Sequence, residues 1–289
     1  MSINRQYHYF ISGLPDLSFE DSKPWILPSD FGKVLKEELH QTDYIQIELI
    51  LLEYDNLNLT SYLISGEMAG DKTGNYSVND FKKQEELFSY EPSVTEPPVK
   101  DILPAYMVEV IREKRKKKEK MNGLSVSRKL TEGYYHHIMR KGSNYLKTFT
   151  RFEFYLRNLV TFIKAGMYDI CQQTFIMGDS DHAKHLRANA GRSLVKDHEF
   201  ELFDQIVSFT GTGSFYNEEI KYDRLRWKVI EDLIFFEDFN IDRISAYLQQ
   251  LIIMSRWAEL SKDTGEDKLR QILSDASHYV QENSSEMMV

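Results

Sequence analysis

The chain has 289 residues, 42% of them hydrophobic and 28% charged, with a formal charge of −9. That length can bury a large core, and the composition is that of a globular protein rather than a disordered or fibrous one. One cysteine, Cys171, excludes an intrachain disulfide framework and argues against a cysteine-based zinc site, while the acidic balance argues against nucleic acid as a partner.

The N-terminus, "MSINRQYHYFISGLPDL", has neither an apolar leader core nor a small-residue cleavage site. No window approaches a membrane span, so a cytoplasmic chain is expected. "PSDFGKVLKEELHQ" offers Ser29 or Asp30 as an N-cap, with Phe31, Val34, Leu35 and Leu39 on one face. A long apolar helix follows and should stop at Gly66. Ser77, followed three residues later by Asp80, is a variant of the capping box. "EPSVTEPPVKDILP" holds four of the seven prolines and predicts a non-helical connection, with room for a small hairpin.

Residues 105–123 begin amphipathic and end charged. Within them "REKRKKKEK", residues 112–120, carries seven basic and two acidic side chains, a local +5 that leaves −14 elsewhere. Such a run is ordinarily a solvated helix extension, or else a dock for an acidic surface or anionic lipid. Two helices are expected over residues 127–169, broken near Gly142 and Ser143. Cys171, among Tyr168, Ile170, Phe175 and Ile176, reads as a buried, inert thiol. A short helix should end at Gly211 and Gly213, and three further helices complete the C-terminal part. Apolar residues recur at three and four throughout, so the predicted fold is all-α.

Two stretches a hundred residues apart share a pattern. "EYDNLNLTSYL" (residues 53–63) and "EFYLRNLVTFI" (residues 153–163) pair Glu53 with Glu153, Asn58 with Asn158 and Leu59 with Leu159. Asparagine is a poor mid-helix residue, so each is expected to bridge to a neighbouring helix. A weaker third echo matches Tyr222 and Asp223 to Tyr54 and Asp55, with Arg226 and Trp227 replacing Asn-Leu. The pattern suggests a duplicated helical unit, the alternative being a chance match of two amphipathic helices.

Catalytic motifs are weak. His182 and His185, three apart on one helical face near Asp179, Asp181, His198 and Glu199, are a candidate metal pair without the spacing of "HExxH". His136 and His137 are adjacent and face different ways. "FTGTGSF" lacks the residues of a phosphate loop and reads as a helix end. No cofactor or catalytic residue is expected, and no enzyme.

Three places resemble the C subunit of the V-type and archaeal-type ATPases, known as the d subunit in eukaryotes. "YHYFISGLPDL" looks like that family's opening. "RFEFYLRNLVTFIKAG" is similar to its repeated helix, with a basic-Ala end at Lys164 and Ala165. "FNIDRISAYLQQLIIMSRWAEL" is similar to its last repeat. The "LPDLSF" run, residues 14–19, also resembles an uncharacterised bacterial family encoded beside V-type ATPase subunits. The chain departs from the C-subunit pattern in being shorter, in having Gln249, Gln250 and Ile252 where glutamates are usual, and in having Arg256 and Trp257 where Asn-Leu-Arg is usual. Both a replacement for that subunit and a divergent relative stay open.

The resemblance implies a pseudo-threefold helical funnel of three repeats over residues 1–100, 101–200 and 201–289, non-catalytic and cofactor-free, between a membrane rotor ring and a central stalk. Glu53 and Glu153 would then be scaffold rather than site. It would couple rotation to ion transport from the cytoplasmic side, peripheral to the inner membrane. Arg115, Lys116, Lys117 and Lys118 would contact an acidic stalk or an anionic membrane surface. The alternatives are a helical interaction or assembly factor unrelated to a rotor, and a metal-dependent enzyme using His182 and His185.

Overall fold

The computed structural model describes residues 5–21, 23–67, 73–88, 100–116, 123–169, 171–192, 196 and 202–259. Among them the fold is all-α, with no strand. The helices are α1 (His8–Ser12), α2 (Pro28–Glu38), α3 (Gln41–Ser65), α4 (Val78–Leu87), α5 (Ala105–Lys116) and α6 (Gly123–Lys141). They continue with α7 (Asn144–Met167), α8 (Gln172–Phe175), α9 (Asp181–Ala188), α10 (Phe203–Phe209), α11 (Phe215–Leu233) and α12 (Ile241–Glu259). None is long and apolar enough to cross a membrane.

Local chemistry sets many of these ends. Gly66 closes α3 at φ 82°, a left-handed geometry that glycine takes without a Cβ penalty, and its N–H reaches the Tyr62 carbonyl at 2.9 Å. At α4 the capping box is complete: Ser77 Oγ accepts from Asp80 N, and Asp80 Oδ2 accepts from Ser77 N at 2.8 Å. Ser143 caps α7 by accepting from Leu146 N at 3.2 Å, so the break between α6 and α7 falls at Gly142 and Ser143. At the end of α10, Gly211 takes φ 78°.

The start of α2 differs from expectation. Leu27 is the N-cap and Pro28 the first helical residue, because a ring already fixed near helical φ suits a position needing no N–H bond. Ser29 and Asp30 therefore sit inside the first turn, where Asp30 pairs with Lys33 at 2.7 Å. Phe31, Leu35 and Leu39 are buried, whereas Val34 is exposed.

Packing closes the long helices into a ring: α3 lies on α6, α6 on α7, α7 on α11, α11 on α12, and α12 returns to α3. Helices α2 and α5 brace α3 from outside. One hydrophobic core runs through all of them, with Phe31, Ile47, Leu59, Met107, Leu130 and Leu156 wholly buried. Each such side chain contributes about 1.5–3 kcal/mol relative to exposure. Residues 7–25 are tied to α12 and the turn before it. Tyr7 N donates to Phe239 O at 2.6 Å, Trp25 Nε1 to Tyr247 Oη at 2.7 Å, and Tyr247 Oη to Pro15 O at 2.8 Å.

Cys171 corrects its expectation, because it is exposed. After Met167 the chain leaves its helix through Asp169 at φ 52°, and Tyr168 and Phe175 stay on the surface while Ile176 is core; Ile170 lies outside the described residues. Of the proline-rich connection, residues 91–104, residues 100–104 are non-helical as expected, while residues 91–99, with the anticipated hairpin, lie outside the described residues, as does the helix anticipated at residues 265–282.

Candidate functional site

The inner faces of the ring meet at a cavity lined by both charged and apolar side chains. One lobe, of about 350 Å³, is lined by Glu53, Tyr134, Tyr135, Phe149, Glu153, Asp223, Arg226 and Arg256, among others. A second lobe, of about 270 Å³, shares Glu53, Tyr135, Glu153, Arg226 and Arg256 and adds Arg157 and Glu219. Helix geometry explains the gathering, since residues three or four apart share a face. Glu53 and Leu57 point inward from α3, Glu153 and Arg157 from α7, Glu219, Asp223 and Arg226 from α11, and Gln249, Ile253 and Arg256 from α12.

Most of these charges are paired. Arg226 Nε stands 2.7 Å from Glu153 Oε1, and its Nη1 stands 2.8 Å from Asp223 Oδ1. Asp223, almost wholly buried, also accepts from Arg256 Nη2 and from Trp257 Nε1 at 2.8 Å. Arg256 reaches Glu219 at 3.3 Å. Burial opposes the charge on Arg226, but the Glu153 and Asp223 carboxylates outweigh it and hold the guanidinium firmly protonated.

Glu53 is different. It is exposed to the open cavity, with the cavity walls close about it, and it has neither a hydrogen bond nor an ion pair among the described residues. Burial, and then the neighbouring Glu153, push its carboxyl above the ordinary range, against the smaller pull of Arg157, Arg226 and Arg256. Burial chiefly, with Glu53 next for Tyr134 and Glu153 next for Tyr135, also raises the two tyrosine hydroxyls on α6. The cavity can therefore hold a guest by charge and by aromatic surface.

From Tyr54 to Tyr62 and from Phe154 to Phe162 every paired position has the same degree of burial. Asn58 and Leu59 are wholly buried, as are Asn158 and Leu159. The Asn158 amide does not bridge to a helix. Its Nδ2 donates to Met177 O and its Oδ1 accepts from Met177 N, both at 2.9 Å, and so it pins the extended segment between α8 and α9. The third echo does not keep this register: Arg224 is exposed where Asn56 is buried, and Leu225 is buried where Leu57 is exposed.

A family model described as "Protein of unknown function (DUF2764)" matches residues 4–278. The chain belongs to that family. No curated protein and no solved structure matches it.

In this member of the family the remaining sequence candidates lie apart from the cavity. His182 on α9 sets its ring edge-on to Tyr155 at 4.7 Å, and His185 lies near Asn189. Asp179 pairs with Arg187 and Asp181 with Lys184, while His198 and Glu199 fall outside the described residues. Among the described residues no three His, Cys, Asp or Glu side chains are disposed to hold a metal. His136 is exposed, and His137 is buried against the Tyr106 ring. Arg115 donates to Glu85 O at 2.5 Å and lies over the Phe88 ring; Lys116 is exposed, and Lys117 and Lys118 are outside the described residues.

Sequence reasoning missed Arg157, Asp223, Arg226, Arg256, Tyr134 and Tyr135 as a group. The available signal was a departure. Arg226 and Arg256 stand where the repeat or the resembled family carries an uncharged residue.

Proposed function

We propose that the protein is a non-catalytic component of a V-type ATPase or ATP synthase, similar in role to the C subunit of those machines. It links the membrane rotor ring to the central stalk and couples rotation to ion transport. It would sit on the cytoplasmic face, peripheral to the inner membrane, as a pseudo-threefold funnel. The observation that carries this reading is the closed ring of helices around a charged cavity, with α3 and α7 presenting Glu53 and Glu153 from faces of matching burial. A socket needs a rigid wall and complementary charge, since charge steers docking while buried anchors hold it.

Purifying the native chain from its own cells tests the reading. Recovery of ring and stalk subunits together is expected, and their absence would reject it. Changing Arg115, Lys116, Lys117 and Lys118 to glutamate should weaken that recovery at low salt, where exposed charges are least screened. Unchanged recovery would remove this segment from the interface.

A second reading, a helical interaction or assembly factor unrelated to a rotor, draws on Phe235 and Phe236. They lie between α11 and α12, 74% and 88% exposed, with their rings edge to face at 4.9 Å. An exposed aromatic pair suits a protein partner of either kind. Copurification of a single non-rotor partner would favour this reading.

A further inference from the structure

The charges around the cavity do not balance. Glu53, Glu153, Glu219 and Asp223 face Arg157, Arg226 and Arg256, which leaves the wall one cation short. The ion pairs take up Glu153, Asp223 and Glu219, and Glu53 is the carboxylate left over. Beside it stand the rings of Tyr134 and Tyr135, with Phe149, Leu57 and Ile253 supplying apolar wall. An unpaired carboxylate at one point of an aromatic and aliphatic cavity is the chemistry that receives a cation on an apolar stem. The carboxylate meets the charge, ring faces add cation–π attraction, and the apolar wall takes the methylenes.

We propose that this cavity is a binding site for an alkyl cation, a guanidinium or ammonium on an apolar stem, anchored at Glu53. That chemistry is shared by free amines and guanidines and by an Arg or Lys side chain of a partner. The site stands whether or not the rotor reading holds. Arg157 is the rival occupant within the chain. It lines the same lobe, yet makes no ion pair with Glu53 within 4 Å. Burial and Glu153 hold the Glu53 carboxyl up despite the nearby arginines, in keeping with a site still short of positive charge.

The full chain is titrated with n-butylguanidinium while backbone amide shifts are followed by NMR, with n-butanol as the uncharged control. Saturable shifts at Tyr135, Arg226 and Ile253 are expected with the cation and not with the alcohol. Glu53→Gln should weaken binding more than about tenfold, since it removes the one charge that faces the guest's cation. Leu57→Lys places an ammonium one turn beyond Glu53, in the favourable Glu-to-Lys order, and should likewise abolish binding by occupying the site. Arg157→Ala should bind as tightly as the parent or tighter.

Spectra of each variant away from the cavity report whether it is folded, and the Leu57→Lys result must agree with that of Glu53→Gln. Acetyl-arginine-amide distinguishes the sources. Its binding assigns the site to a partner's side chain, and exclusion alongside binding of n-butylguanidinium assigns it to a free cation. Silence with n-butylguanidinium, equal shifts with n-butanol, binding retained in Glu53→Gln, or binding lost in Arg157→Ala would each overturn the proposal.

Discussion

Arg226 on α11 donates through Nε to Glu153 on α7 at 2.7 Å, joining two helices 73 residues apart in sequence at the wall of the central cavity. The same guanidinium holds Asp223 on its own helix, and Asp223 in turn takes Arg256 and Trp257 from α12. Three walls of the ring are thereby tied at one place. The tie at Arg226 is also expensive to break, because Arg226, Glu153 and above all Asp223 have surrendered most of their water.

Arg226→Ala leaves Glu153 and Asp223 facing each other with one cation fewer. Loss of one member of a buried pair costs roughly 3–5 kcal/mol. Denaturant unfolding should show a loss of that order in Arg226→Ala. A loss within about 1 kcal/mol, as for an exposed pair, would mean that solvent screens the network.

Glu53 should act in the opposite sense. Its folded carboxyl is raised by burial and by Glu153, whereas its unfolded value is ordinary, about 4.3. The native state then binds the proton more tightly than the unfolded state. A destabilisation develops as pH rises through the ordinary carboxylate range and is fully present above the raised native value. Glu53→Gln should therefore melt higher than the parent at neutral pH, with the gap closing as pH falls below about 4. Melting curves across pH check this, and a variant less stable at pH 7 would contradict it.

The Ser77 capping box gives a prediction of opposite pH sign. Hydrogen bonds from the Ser77 hydroxyl and N–H lower the Asp80 carboxyl. Its contribution is present above the unfolded aspartate value and is lost as pH falls through the depressed folded one. Ser77→Ala should cost about 1 kcal/mol at neutral pH. The deficit should shrink in acid, which thermal unfolding at two pH values would measure.

Asn158→Leu preserves bulk but strands both the N–H and the carbonyl of Met177 in the core. Each buried group left unsatisfied costs about 1–3 kcal/mol. Proteolysis or hydrogen exchange should find the segment between α8 and α9 loosened first, ahead of global unfolding.

Gly133 lies where α6 crosses α5, and a Cβ there would come 2.6 Å from the Tyr106 ring. Tyr106 is buried and donates to Asn56 at 3.0 Å, so it has little room to move. Gly133→Ala should destabilise by about 1–3 kcal/mol through overpacking, despite alanine's better helix propensity. A stabilised variant would show that α5 shifts freely.

Helix positions were legible in the sequence because their signals are local. Gly66, the Ser77 and Asp80 pair and the break at Gly142 and Ser143 each act within one turn of the backbone they end or begin. The likeness of residues 53–63 to residues 153–163 was legible for the same reason, since the period of the helix alone sets which positions face inward. Where local order gives out, the reading failed: the exposure of Cys171 depends on how the chain leaves α7, and that exit follows no helical period.

The role of Glu53 and Glu153 was a tertiary decision. In the sequence they are the first residues of a repeated frame, and scaffold is all that a frame implies. Only when α3, α6, α7, α11 and α12 close into a ring do Glu153, Asp223, Arg226 and Arg256 come within bonding distance, from segments far apart along the chain. Periodicity determines which face of a helix is wet or dry. Ring closure decides which charges on those faces are neutralised, and it leaves Glu53 without an ion-pair partner among the described residues.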